Sequence, residues 1–123
     1  MAQSNVIVEK SFEMALDIVK FSKKLRGLQE FELSSQIFRC GTSVGANVRE
    51  AQNAESKADF IHKMKIAVKE CEEVIYWLEL CDYSEYLEGN ADLLEKAKEA
   101  KKILNAIIAV SYTHLTLPTT PYV

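Results

Sequence analysis

Apolar residues recur along the first 110 positions at steps of three and four, in four runs separated by short polar breaks. At about 100° per residue, positions three or four apart share a helix face, so the period predicts helices. The first run spans about Val6 to Arg26. Phe12, Ala15, Leu16 and Val19 form one stripe, and Met14, Ile18, Phe21 and Leu25 form a second. The two point roughly 140° apart, which makes the helix apolar on more than one side. One stripe suffices for a bundle core. The second, with Phe21, calls for another cover, either a wide core groove or another subunit. Gly27 follows the last turn as a stop signal.

The second run spans about Phe31 to Ala54, with Leu33, Ile37, Cys40, Val44, Val48 and Ala51 on one face. Arg39, Ser43, Asn47 and Glu50 make a polar row opposite. Gly41 and Gly45 lie one turn apart beside the apolar face. Each costs a helix about 1 kcal/mol relative to Ala, and close approach of a neighbouring helix would offset that. The third run, Lys57 to Tyr83, is preceded by Ser56, which with Asp59 resembles a capping arrangement. Its stripe is Phe60, Met64, Ala67, Cys71, Val74, Ile75 and Leu78, while Ile66, Trp77 and Leu80 lie on another side. The fourth run, Ala91 to Val110, has Asn90 as its N-cap and Leu93, Ala97, Ala100, Leu104 and Ile107 as its stripe.

Four amphipathic segments joined by short loops predict an all-α, antiparallel up-down-up-down four-helix bundle over residues 1–110. The remainder, SYTHLTLPTTPYV, holds both prolines, four threonines and no charged residue. It resembles read-through from cloning adaptor sequence, and residues 111–123 are expected to be a non-native tail outside the fold.

Composition agrees with one domain: 123 residues, 48% hydrophobic and 27% charged, with only four glycines. The net charge of −3 argues against a DNA-coating protein, in which clustered positive charge supplies most of the affinity. The charge is unevenly spread. Residues 20–70 are net +4 and residues 71–110 net −5. Cys40, Cys71 and Cys81 are odd in number and lack ligand spacing, which points to free thiols in a reducing cytoplasm. No apolar run approaches the ~18 residues of a membrane-spanning helix, so no membrane partner is expected.

The block from Cys40 to Glu70, CGTSVGANVREAQNAESKADFIHKMKIAVKE, resembles the signature of the bacterial four-helix bundle family named for the 23S rRNA intervening sequence protein. EFELSSQIFR before it and YWLEL at Tyr76–Leu80 are similar to the same family, and the resemblance covers roughly residues 5–110. It implies an antiparallel bundle assembling as a homopentamer, with no established catalytic activity. A related bundle is the accessory protein of diversity-generating retroelements, where it pairs with a reverse transcriptase and RNA. RNA or a nucleic-acid enzyme is therefore the expected client, although this chain is acidic where the retroelement type is strongly basic. The rival expectation is a self-assembling protein with no nucleic-acid role.

Candidate chemistry is sparse. Gly41 to Asn47 lacks the Lys-Ser/Thr of a phosphate loop, so helix packing through Gly41 and Gly45 is preferred, with Ser43, Asn47 and Arg49 left as a polar interface. His62 has no partner at ligand spacing, and His114 lies in the tail. Glu70, Glu72, Glu73 and Glu79 lack the Glu-x-x-His pairs of di-iron bundles and read as a solvated face. No catalytic residue, metal site or cofactor is expected, since no base and nucleophile fall into mutual reach. Trp77, Leu80, Ile66 and Phe21 are the candidate oligomer interface, with intramolecular core as the alternative for Trp77. Arg49, Lys57 and Lys63 flank the second turn and are the candidate polyanion contact.

Overall fold

The computed structural model describes residues 2–85 and 87–116, with side chains from Asn5 to Thr113. Four helices account for nearly all of them: α1 (Ala2–Gly27), α2 (Phe31–Gln52), α3 (Lys57–Tyr83) and α4 (Ala91–Thr116). Each packs on its sequence neighbour, and α4 returns to pack on α1. Among the described residues the backbones of the diagonal pairs α1·α3 and α2·α4 nowhere come within 8 Å, which gives a square, antiparallel four-helix bundle.

The helix ends follow from local chemistry. At α3 the Asp59 amide donates to the Ser56 hydroxyl at 3.0 Å, and the Asp59 carboxylate accepts from the Glu55 amide at 3.2 Å. At α4 the Leu93 amide donates to Asn90 Oδ1 at 3.0 Å. The end of α1 differs from expectation. Gly27 closes the helix in ordinary helical conformation, and the left-handed residue is Gln29, at φ 65°. The Gln29 amide donates to the Arg26 carbonyl and the Glu30 amide to the Leu25 carbonyl, both at 2.9 Å, the paired bonds of a Schellman cap. A side chain in that conformation costs about 1 kcal/mol or more, which the two carbonyl bonds offset.

The core runs the length of the bundle, and its largest fully buried side chains include Ile7, Met14, Ile18, Ile37, Met64, Leu78 and Leu104. The stripes expected for the last three helices are buried as read, except that Leu33, Phe60 and Ile75 sit at the margin. On α1 the two stripes exchange roles. Met14, Ile18, Phe21 and Leu25 fill the core, while Phe12, Leu16 and Val19 are 48%, 50% and 37% exposed. Phe21, expected at an oligomer interface, is 4% exposed inside the monomer and is corrected to a core residue.

The expected break at Val110 is also corrected. Helix α4 continues to Thr116. Ser111 is buried one turn beyond Ile107 and donates its hydroxyl to the Ile107 carbonyl at 2.8 Å. Lys65 lies 4.9 Å from the centre of the Tyr112 ring. Residues 117–123, and the side chain of His114, lie outside the described residues.

All three cysteines are free and buried. The Cys71 thiol donates to the Ala97 carbonyl at 3.2 Å, tying α3 to α4. Burial pushes the Cys40 and Cys71 thiols up to about 12 and Cys81 up to about 11, from 9.0. The folded state thus favours the neutral thiol. That preference leaves stability untouched below pH 9 and removes it as pH rises from 9 towards the raised values. A thiol reagent at pH 8 is expected to label the native protein about a hundredfold or more slowly than the denatured chain. Equal rates would show that these helices do not enclose the thiols.

Candidate interaction surface

The four seams between helices are closed in two different ways. Arg39 on α2 reaches Glu73 and Glu70 on α3, at 3.5 Å for the latter. Lys101 on α4 pairs with Glu72 on α3 at 3.3 Å. Between α4 and α1, Lys96 meets Asp17 at 2.6 Å and Lys10 meets Glu99 at 3.4 Å. These pairs leave their mark on titration. Glu73 holds the Arg39 guanidinium pKa up, and Asp17 does the same for Lys96. They are solvent-facing and individually worth little, but they fill the seams with charge.

The α1–α2 seam carries no ion pair among the described residues. Inside, it is closed by shape and by buried hydroxyls. A side-chain carbon at Gly41 would stand 2.7 Å from Ile18 Cγ1 and Cγ2, so α1 crosses where α2 has no side chain. At Gly45 the nearest atoms are the Ser11 carbonyl and hydroxyl oxygens at 3.5 Å, an ordinary contact. Both glycines therefore lie against α1 as expected, Gly41 on the Ile18 side chain and Gly45 on the Ser11 main chain, and of the two Gly41 leaves no room for a side-chain carbon. Lower down, Ser22 donates to the Ser34 carbonyl at 2.9 Å and Ser34 to the Ser22 carbonyl at 2.8 Å.

Outside, the same seam is an apolar groove. Val8, Phe12, Ala15, Leu16 and Val19 from α1 face Thr42, Gly45 and Ala46 from α2 across about 530 Å³. The groove continues past Val19 to Phe38, which is 47% exposed, where it narrows to about 210 Å³. Its charges stand only at its ends: Arg49 at one, Lys23 and Arg26 at the other. No carboxylate lines either part.

The remaining sequence candidates disperse. Trp77 is half-buried against the core margin beside Leu33 and Gln36, edge-on to Tyr76 at 5.1 Å. Its indole Nε1 is buried with no hydrogen-bond partner among the described residues. Ile66 is half-buried, and Leu80 is 45% exposed. Arg49 lies over the Phe12 ring at 5.2 Å, inside the groove rather than beside a phosphate-facing turn. Lys63 pairs with Asp59 at 3.1 Å and holds that carboxyl below its usual range, while Lys57 is exposed at the start of α3. No group of three or more His, Cys, Asp or Glu among the described residues could hold a metal ion, and no described helix is long and apolar enough to cross a membrane.

Sequence reasoning missed Phe38 and gave the Phe12 stripe the wrong destination. One signal was available. Ile7, Ser11, Met14, Ile18, Phe21 and Leu25 keep an unbroken four-three alternation, whereas the Phe12 stripe ends in Lys23 and Arg26.

Residues 3–106 match the family described as 23S rRNA-intervening sequence protein. A solved structure from Bacteroides thetaiotaomicron VPI-5482, of a protein with unknown function from the S23 ribosomal protein family, is 44% identical to this chain. It superposes with a TM-score of 0.82 and covers 87% of this chain and 98% of its own. No curated protein matches. With the family matched across most of its length and the fold shared at that identity, the chain belongs to the 23S rRNA-intervening sequence protein family.

Proposed function

We propose that the protein is a non-catalytic helical scaffold that assembles with copies of itself, using the outer α1–α2 face. The observation that carries this reading is the contrast between seams. Three are closed by interhelical ion pairs, and the fourth presents Phe12, Leu16, Val19 and Phe38 to solvent without them. A continuous exposed apolar strip of that kind is what soluble proteins keep for a partner. The groove lining favours a protein over a polyanion, because its side chains are apolar and Arg49 is engaged with Phe12. Contact with RNA through Arg49, Lys57 and Lys63 draws no support from this geometry, since Lys63 is also held by Asp59. The resemblance to the family implies five copies.

Light scattering coupled to size exclusion tests the reading. The expected mass at micromolar concentration is close to five times the 13.9 kDa chain. A monomer at that concentration removes the scaffold.

A further inference from the structure

The α1–α2 groove has a counterpart elsewhere on the same molecule. On α3, Tyr76, Leu80 and Tyr83 follow one another at steps of four and three and are 55%, 45% and 85% exposed. At that spacing they form one ridge. Ridge and groove belong to different helices, so a single chain presents both at once.

Their charges are opposite. The groove has Arg49 at one end, Lys23 and Arg26 at the other, and no carboxylate in its lining. Along α3 and the loop after it, no lysine or arginine occurs between positions 70 and 90, where Glu72, Glu73, Glu79, Asp82, Glu85 and Glu88 lie. Glu72, Glu73 and Glu88 are already engaged by Lys101, Arg39 and Lys24. Glu79, Asp82 and Glu85 are then the carboxylates of this stretch without an ion pair among the described residues, Glu79 half-buried towards α4 and the other two exposed.

We infer that the α1–α2 groove receives the acidic, tyrosine-bearing α3 ridge of a second copy of this chain, an inference that rests on the self-assembly reading above. Groove against groove would set Lys23, Arg26 and Arg49 against a second set of cations and leave the ridge uncovered. Ridge against ridge would do the same with carboxylates. Groove against ridge covers both apolar surfaces, and it matches cation to carboxylate at the rim, where complementarity selects the partner. The contact is head-to-tail: each copy gives a ridge and receives one, the kind of interface from which closed rings are built when the rotation between copies closes. The uneven charge along the sequence thereby acquires a role between chains.

The test uses the full chain in three forms: wild type, a groove variant Leu16→Asp, and a ridge variant Tyr76→Ser with Leu80→Asp. All three positions are exposed in the folded chain, and circular dichroism checks that the helices persist. Each variant alone is expected to lose assembly, with the contact weakened about a hundredfold or more. Mixed in equal amounts, the two should form a one-to-one pair, because one chain keeps a sound groove and the other a sound ridge. A ridge variant that keeps the wild-type mass while the groove variant dissociates overturns the pairing and leaves self-assembly standing. A monomeric wild type overturns both. A second set relies on charge alone. Glu79→Lys with Asp82→Lys should weaken assembly about tenfold or more at low salt, and adding Lys23→Glu with Arg26→Glu to the same chain should restore it. Failure to restore assigns those carboxylates to another contact and overturns the inference.

Discussion

Alanine at Gly41 is expected to destabilise the bundle by about 2–3 kcal/mol, although alanine is the better helix former by about 1 kcal/mol. The added carbon would lie 2.7 Å from two carbons of Ile18 and 2.8 Å from a third. Ile18 is fully buried and branched at Cβ, so it has no alternative rotamer to retreat into without moving α1. Gly45 supplies the control on the same helix. Its nearest neighbours would be at 3.5 Å, so Gly45→Ala keeps the propensity gain and should leave stability unchanged or raise it by up to about 1 kcal/mol. Urea unfolding of both variants decides the matter. Combining Gly41→Ala with Ile18→Ala should cost less than the two changes added, because the clash is removed with its partner. If Gly41→Ala is as stable as wild type, α1 does not cross α2 at this point.

The second large effect is expected at the serine pair beneath the groove. Ser34→Ala should cost on the order of 1–3 kcal/mol, more than an exposed serine would. Ser34 and Ser22 are 1% and 6% exposed, and their hydroxyl oxygens lie 2.8 Å apart while each also reaches the other's carbonyl. Removing one hydroxyl leaves the other in a dry seam with half its partners. Removing both leaves an apolar contact with fewer unmet groups, so the double variant should lose less than the sum of the singles. Strict additivity in thermal unfolding would mean that the two serines act independently.

Fold and site were unequally legible, and the reason differs by residue. Leu93, Ala97, Ala100, Leu104 and Ile107 announce α4 because one helix face is apolar and the other charged, and period alone then identifies the core. Helix α1 is harder, since two apolar stripes compete and only contact with the other helices decides between them. The decision depends on Gly41, which lets Ile18 into the core and turns Phe12 outward. Gln29 was hidden for a similar reason. Its left-handed backbone is imposed by the return of the chain into α2, whereas local preference pointed to Gly27. The run of α4 past Val110 was hidden by composition. Ser111 follows Ile107 by four residues, is buried and bonds the Ile107 carbonyl, so the helix runs on through a stretch with no charged residue. Arg49 looked like a phosphate ligand beside a turn. Its position over Phe12 depends on a residue far away in sequence, which no local pattern reports.

The return of α4 onto α1 closes the path of the chain around the bundle except for one covalent gap. Because neighbouring helices run antiparallel, the beginning of α1 and the end of α4 come to the same end of the bundle, beside the turn between α2 and α3. Every interhelical contact is therefore indifferent to which of the four junctions the backbone leaves open. A circularly permuted chain, with a short flexible bridge across that gap and new ends between Tyr83 and Ala91, would keep the α3–α4 pairing by packing alone, as Cys71 with Ala97 and Glu72 with Lys101 already span that boundary.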